Sequence, residues 1–240
     1  MSTVSRASTA LRATCLIATL GLALAGCGGK AEHASAPTAS TSTTASSPSS
    51  TPSPSSTPTT NGKTQVVKVE KYGISFELPK GWITLDAKKV FKGDGKNPLL
   101  DELADRLGTS REQLVKAFST VIQTMSVSDE GAVHGFLDNV NSTGQDGDIN
   151  DDQLKLQLAT LGAKIGPIDH ATTDAGDVTT VHYTLHSKTG LTVHAVAIAV
   201  RLGHTTVAIT VSASSDDRAT RIADQIKGSL KTIPGDGPNL

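Results

Sequence analysis

The sequence predicts one α/β domain of the α+β kind, a layered sandwich in which helices pack on a mainly antiparallel sheet. Two observations carry that prediction. Residues 178–186, 191–200 and 205–211 alternate or run apolar, with turn signals at Lys188-Thr189-Gly190 and Leu202-Gly203 between them, which is the pattern of a three-strand meander. Between an N-terminal strand pair and that meander, apolar residues recur at helical spacing. Strands at both ends with helices between and after them fit a two- or three-layer α+β arrangement.

The elements are justified in chain order. Residues 65–70 read as a first strand. Tyr72, Ile74, Phe76 and Leu78 fall on one face of a second. Pro79-Lys80-Gly81 makes a turn, and residues 82–85 return as a strand. Leu99, Leu100, Leu103 and Leu107 line a helix over 98–107 that Gly108 stops. Thr109 then caps a second helix in a capping box with Glu112, and Leu114, Phe118, Val121, Ile122 and Met125 share its inner face. Strands are expected around 125–127 and 133–140. A helix over 148–164 points Leu154, Leu158 and Leu161 inward.

Tight turns in the meander place Val181, Tyr183 and Leu185 on one face with Val196, Ile198, Val200, Val207, Ile209 and Val211. The opposite face carries Ala195, Ala197, Ala199 and Ala208, small enough for a second layer to approach closely. A last helix over 216–233 buries Ile222, Ile226 and Leu230.

Ahead of this domain the chain has another character. Arg6 and Arg12 precede an apolar run, Cys15-Leu16-Ile17-Ala18-Thr19-Leu20-Gly21-Leu22-Ala23-Leu24. That run is shorter than the roughly 20 apolar residues a membrane span takes. Leu24-Ala25-Gly26-Cys27 follows it and resembles the bacterial lipobox. The resemblance implies a signal peptide over 1–26 and a diacylglycerol on the sulfur of Cys27. The mature chain would keep one cysteine, already a thioether, which leaves neither a disulfide nor a thiolate nucleophile. Two acyl chains at about 0.8 kcal/mol per buried methylene hold a protein on a membrane. Residues 27–63 are rich in Ser, Thr, Pro and Ala. They cannot bury enough apolar surface to offset the entropy of folding, so a disordered tether is expected. The folded domain is placed at 64–233 and a flexible tail at 234–240.

Lys71-Tyr72-Gly73-Ile74-Ser75-Phe76-Glu77-Leu78-Pro79-Lys80-Gly81-Trp82 resembles the opening hairpin of PsbP-like domains. Lipobox, Ser/Thr/Pro tether and such a domain together resemble the LpqN-type lipoproteins of actinobacteria. The resemblance implies a non-catalytic binding or assembly factor, with no shared catalytic set to carry onto these residues.

Read for chemistry, the sequence is sparse. Net charge is −1 and aromatics are 3% of the chain, which gives neither a field nor stacking surfaces for nucleic acid. Asp146-Gly147-Asp148-Ile149-Asn150 starts like a calcium loop, but Asp151 stands where its glycine belongs and Gln157 where its glutamate belongs. A turn leading into a helix is the better reading. His182 and His186 share a strand face about 13 Å apart, and the expected pairing puts His194 on the other face. His134, His170 and His204 have no Cys or Glu at ligand spacing. Asp129-Glu130 and Asp151-Asp152 sit at turn or helix-start positions, and no serine stands in a Gly-x-Ser-x-Gly elbow. Lys88, Lys89, Lys92 and Lys96 near Phe91 read as a solvated loop. Asn141-Ser142-Thr143 is a formal glycosylation sequon with no meaning in a bacterium. Trp82 reads as an anchor between hairpin and core. The expectation is a non-enzymatic protein without metal or cofactor, held to the membrane by Cys27, with an envelope protein as partner. The alternative is a carrier or chaperone of a small apolar or lipid ligand, and a hydrolase or metal enzyme ranks third.

Overall fold

The computed structural model describes residues 63–86, 100–101, 104–105, 110–120, 122–130, 133, 136–186 and 190–234. The expected leader, tether and Cys27 lie outside them, as do the lysine cluster at 88–96, His134 and most of the first expected helix. Of that helix, Leu100 and Ala104 are described, helical and buried.

Two antiparallel sheets organise the domain. Strands β1 (Thr64–Val69) and β2 (Ile74–Pro79) pair from Thr64↔Pro79 to Val69↔Ile74. The chain turns between them through a short 3-10 segment, Glu70–Tyr72, closed by Gly73 at φ 62°. That left-handed conformation suits glycine because no Cβ meets the following carbonyl. Tyr72 thus sits in the turn and not in the strand, yet it is buried with Ile74, Phe76 and Leu78 as the alternation predicts.

β3 (Ile83–Asp86) does not fold back on β2. It crosses to a seven-stranded sheet and pairs with β4 (Ile122–Val127). β5 (Asn139–Asp146), β6 (Lys164–Thr173), β7 (Gly176–His186), β8 (Thr192–Leu202) and β9 (Thr205–Ala213) complete that sheet in the order β3-β4-β5-β9-β8-β7-β6. β10 (Lys231–Thr232) adds a third strand to the small sheet beside β2.

Helix α1 (Arg111–Thr120) ends before Ile122, so Ile122 and Met125 belong to β4 and not to its inner face. A ladder to β5 on one side and β3 on the other satisfies the β4 backbone, which outweighs helical spacing. The capping box also lies one residue later than expected. Ser110 Oγ accepts from Gln113 N–H at 3.2 Å, and Gln113 Oε1 accepts from Ser110 N–H at 3.4 Å. Glu112 stays useful there: hydrogen bonds from a backbone amide and Ser110 hold its carboxyl below the usual range. The side chains of Leu114, Phe118 and Val121 lie outside the described set.

The strand expected over 133–140 is instead an isolated Val133–Phe136 bridge followed by β5. β5 is largely polar, and its hydroxyls and amides are buried by pairing, as between Thr124 Oγ1 and Ser142 Oγ at 2.7 Å. Helix α2 is Asp151–Thr160, shorter than expected. Leu154 and Leu158 point inward, but Leu161 caps the helix and is 37% exposed. Helix α3 (Asp216–Ser229) buries Ile222 and Ile226, and Leu230 follows it in extended backbone. Bonding of β10 to β2, and of Ile233 N–H to Gly73 O at 2.7 Å, ends the helix there.

The meander forms with one face corrected. β8 and β9 pair Val196↔Val211, Ile198↔Ile209 and Val200↔Val207, as expected. β7 and β8 pair Val181↔Ala197 and Tyr183↔Ala195. The last pair, His186↔Thr192, leaves an odd number of residues between the strands, where an even one was expected. A shift of one residue turns every side chain over. Val181, Tyr183 and Leu185 therefore join the alanine face.

The two faces of the large sheet are covered differently. Val140, Val178, Val196, Ile198, Val200, Val207, Ile209 and Val211 pack with α3 and the small sheet. On the other face, Leu154 and Leu158 of α2 pack on Val181, Tyr183, Ala195 and Ala197. The close second layer expected over the alanines is α2.

Candidate functional site

An open groove of about 820 Å³ lies on the alanine face where α2 begins. Its position follows from local chemistry. Asn150 caps α2: its Oδ1 accepts from Gln153 N–H at 2.9 Å, and Gln153 Oε1 accepts from Asn150 N–H at 3.1 Å. The half calcium loop is thus the turn that delivers this cap. Gly147 N–H donates to His204 O at 2.7 Å, and Thr206 Oγ1 donates to Gly147 O at 2.8 Å. Asp148 pairs with Arg201 at 3.4 Å.

The opposite wall is the edge strand β6 with β7. Its free edge is blunted by a register shift between Ile165 and Ile168, where Pro167 lacks a donor. His170 projects from β6. Its Nε2 lies 3.2 Å from Asp151 Oδ2 and its Nδ1 3.2 Å from Thr179 Oγ1. Thr172 Oγ1 donates to Asp177 Oδ1 at 3.1 Å. Groups of opposite sign thus alternate along the groove, set on a floor that includes Ala199 and Thr206.

A second constellation ties α3 to the connection before β5. Asp138, only 4% exposed, accepts from Ser214 N–H at 2.9 Å through Oδ1 and from Arg218 Nε through Oδ2. Arg218 Nη1 also meets Glu130 at 2.6 Å. Burial alone would lower the Arg218 pKa, but the two carboxylates reverse this and hold it above its usual value. An acid inside the apolar run Phe136-Leu137-Asp138-Asn139-Val140 is the signal that marks this clamp in sequence. Nothing local marks Arg218, whose partners stand 80 and 88 residues away in sequence.

The histidines need one correction. His194 pairs with Thr184, so it shares the face of His182 and His186. The odd-numbered connection that flips Tyr183 is the reason. His194 Nδ1 stands 4.0 Å from Asp216, and His186 Nδ1 lies 3.0 Å from Thr192 Oγ1. Among the described residues, no group of three or more His, Cys, Asp or Glu is placed to hold a metal ion. Glu130 is in the clamp, Asp151 bonds His170, Asp152 faces Lys155 at 4.0 Å, and Asp129 packs beside Gly81. The sequon Asn141-Ser142-Thr143 is buried in β5. Trp82 is 6% exposed in the main core, and its carbonyl accepts from Gln65 Nε2 at 2.6 Å. No helix of the described residues is long and apolar enough to cross a membrane.

These elements define a mainly antiparallel α+β domain with a charged groove and an arginine clamp on the buried carboxylate of Asp138. No family model and no curated protein matches the sequence. Among solved structures, the chain is similar to the PsbP of Synechocystis sp. PCC 6803 at 14% identity and a TM-score of 0.44, over 71% of this chain and 92% of that one. It is similar to the Ran-binding protein Mog1p of Saccharomyces cerevisiae at 11% identity and a TM-score of 0.43, over 71% and 95%. LpqN of Mycobacterium tuberculosis, involved in cell envelope biogenesis, is similar at 14% identity and a TM-score of 0.34, over 47% and 72%. PsbP and LpqN represent the two groups that the hairpin motif and the chain layout resemble, and the likeness is one of fold.

Proposed function

We propose that this chain is a cell-envelope lipoprotein whose domain binds a surface or envelope-assembly protein without catalysing a reaction. The observation that carries the reading is the groove. It is open, about 820 Å³ in volume, and walled by Asp151, Asp152, Lys155, His170 and Arg201. Such a wall offers donors, acceptors and both signs of charge, which suits the mixed surface of a polypeptide. A carrier of lipid would need a chamber lined mainly by apolar side chains, and this groove gives that alternative no support. The anchor on Cys27 rests on the lipobox and the leader.

A photo-crosslinking residue in place of Thr172, irradiated in intact cells, tests the binding reading. One discrete protein adduct, lost when Arg201→Glu reverses the charge on that wall, is expected. Adducts to lipid alone would overturn it. Cys27→Ala tests the anchor separately: the protein should leave the membrane or accumulate as precursor. A correctly cleaved Cys27→Ala chain that stayed on the membrane would rule the anchor out.

A further inference from the structure

A second, smaller pocket of about 260 Å³ lies on the far side of the molecule from the groove, beside the arginine clamp. Pro79, Trp82 and Ile222 give it apolar walls. Its polar groups come mostly from one stripe of α3, because Arg218, Arg221, Ile222 and Gln225 recur at helical spacing.

One cation of this pocket stands outside its ion pairs. Arg218 is engaged by two carboxylates, Asp138 and Glu130, and both acids are satisfied by it. Arg221, one turn on, is exposed and has no ion-pair or hydrogen-bond partner among the described residues. Gln225 Nε2 is a buried amide donor with no acceptor. An unmet amide donor in a protein interior opposes folding and is relieved by an acceptor brought to it. A free guanidinium, an unmet N–H donor and an indole wall in one small pocket share one chemical complement. It is an anion joined to an apolar body with a carbonyl or hydroxyl acceptor nearby. Guanidinium binds planar carboxylate through two parallel hydrogen bonds.

We propose that this pocket binds a carboxylate carried on a small apolar group, with Arg221 as the charge partner, Gln225 as the amide donor and Trp82 with Ile222 as the apolar wall. The Asp138–Arg218–Glu130 clamp positions α3 so that Arg221 and Gln225 face the pocket. The C-terminal residue of a polypeptide presents all of this chemistry, through its carboxylate, its side chain and its acyl-amide carbonyl; a free short-chain acid presents only the carboxylate and the apolar body.

The chain has one tryptophan, so its fluorescence reports on this pocket alone. N-acetyl-leucine should change Trp82 emission saturably, with a dissociation constant on the order of 1 mM for a ligand of that size. N-acetyl-leucinamide, which lacks the charge, should not. Arg221→Met should weaken binding by about ten- to a hundred-fold, the usual loss for a charge-assisted hydrogen-bonded pair. The melting temperature should stay put, since Arg221 is exposed. The shift of the Trp82 indole N–H resonance reads the same titration in the unsubstituted protein. Gln225→Leu separates the two sources. It should weaken N-acetyl-leucine and leave 4-methylpentanoate unchanged if the pocket takes a chain terminus. Equal binding of both acids, insensitive to Gln225→Leu, would mark a free-acid site that uses Arg221 alone. An equal response to acid and amide, no saturation at ten times the expected constant, or unchanged binding by Arg221→Met would each overturn the site.

Discussion

The two faces of the seven-stranded sheet are built from opposite materials. On one, Val196, Ile198, Val200, Val207, Ile209 and Val211 are fully buried beneath α3 and the small sheet. On the other, Ala195, Ala197, Ala199 and Ala208 share the surface with Thr206, Thr210, Ser212, Asn139 and Asn141. Full burial of a branched aliphatic side chain contributes about 1.5–3 kcal/mol, and an alanine methyl much less. The apolar face therefore supplies most of the cohesion of the domain. The small-residue face supplies closeness and polarity, and the groove opens there. Stability and recognition are thus divided across one sheet.

The sharpest break in that comparison is on the apolar side. A Cβ built on Gly144 of β5 would lie 2.0 Å from Tyr72 Cζ and 2.1 Å from its hydroxyl oxygen. Tyr72 closes the β1–β2 turn, so its ring is one of the side chains that pin the small sheet to the large one, with Val67, Val69, Ile74, Phe76 and Leu78. Gly144→Val must expel that ring. We expect a loss of at least about 3 kcal/mol, at the upper end of overpacking effects, read as a fall in urea midpoint. Tyr72→Ala in the same chain should restore part of it, since contacting positions do not add. A loss below about 1 kcal/mol would mean that the ring does not hold the layers together.

The two covering helices allow a matched pair of truncations. Ile226 of α3 is fully buried within the main core, and Leu154 of α2 is 2% exposed over the alanines. Both changes to alanine leave a cavity, and the cost rises with the part that cannot collapse. α3 is held by β2, β8, β9 and the arginine clamp, including Ser229 Oγ accepting from Glu77 N–H at 2.9 Å. α2 borders the open groove and can settle toward small residues. Ile226→Ala should cost about 4 kcal/mol and Leu154→Ala about 2 kcal/mol. Equal costs, measured by chemical unfolding with unchanged slope, would remove the proposed difference in cohesion.

The apolar face was legible in the sequence and the small-residue face was not, for a physical reason. Alternation of Val and Ile in β8 and β9 announces both strand and inner face. Gly203, at φ 59°, fixes their two-residue turn and so their parity. The connection from β7 to β8 is longer, with five residues between His186 and Thr192, so a two-residue turn does not set its parity. One residue of misjudged length there put Val181, Tyr183 and Leu185, with His182 and His186, on the wrong faces. β6 and β5 escaped the reading because β6 is mostly exposed and β5 is built of Asn, Ser and Thr. Neither shows hydrophobic periodicity. The groove was half visible, since Asn150 and Asp151 read as a helix start, while Arg201 and His170 reach it only through sheet pairing. Arg221 and Gln225 were visible only as polar members of an amphipathic helix.

Tyr183 sharpens the comparison with the smallest and oppositely signed effect. It lies on the small-residue face, 3% exposed, and its hydroxyl is buried without a hydrogen-bond partner. An unmet hydroxyl in the interior opposes folding, whereas one on a well-satisfied face supports it. Tyr183→Phe keeps the ring and removes only the unmet group, so the protein should gain up to about 1 kcal/mol. Burial also pushes the phenol far above its ordinary value of 10.0. A phenol that is harder to ionise when folded adds nothing to the pH dependence below that value. As pH rises past it, the unfolded chain ionises first and stability falls. The phenylalanine variant should therefore lose less stability than the parent between pH 10 and more alkaline solution. Unfolding midpoints measured on both sides of that pH check the two halves together. A loss of 1 kcal/mol or more at neutral pH would show that the hydroxyl has a bound partner, and that the small-residue face is better satisfied than its side chains alone provide.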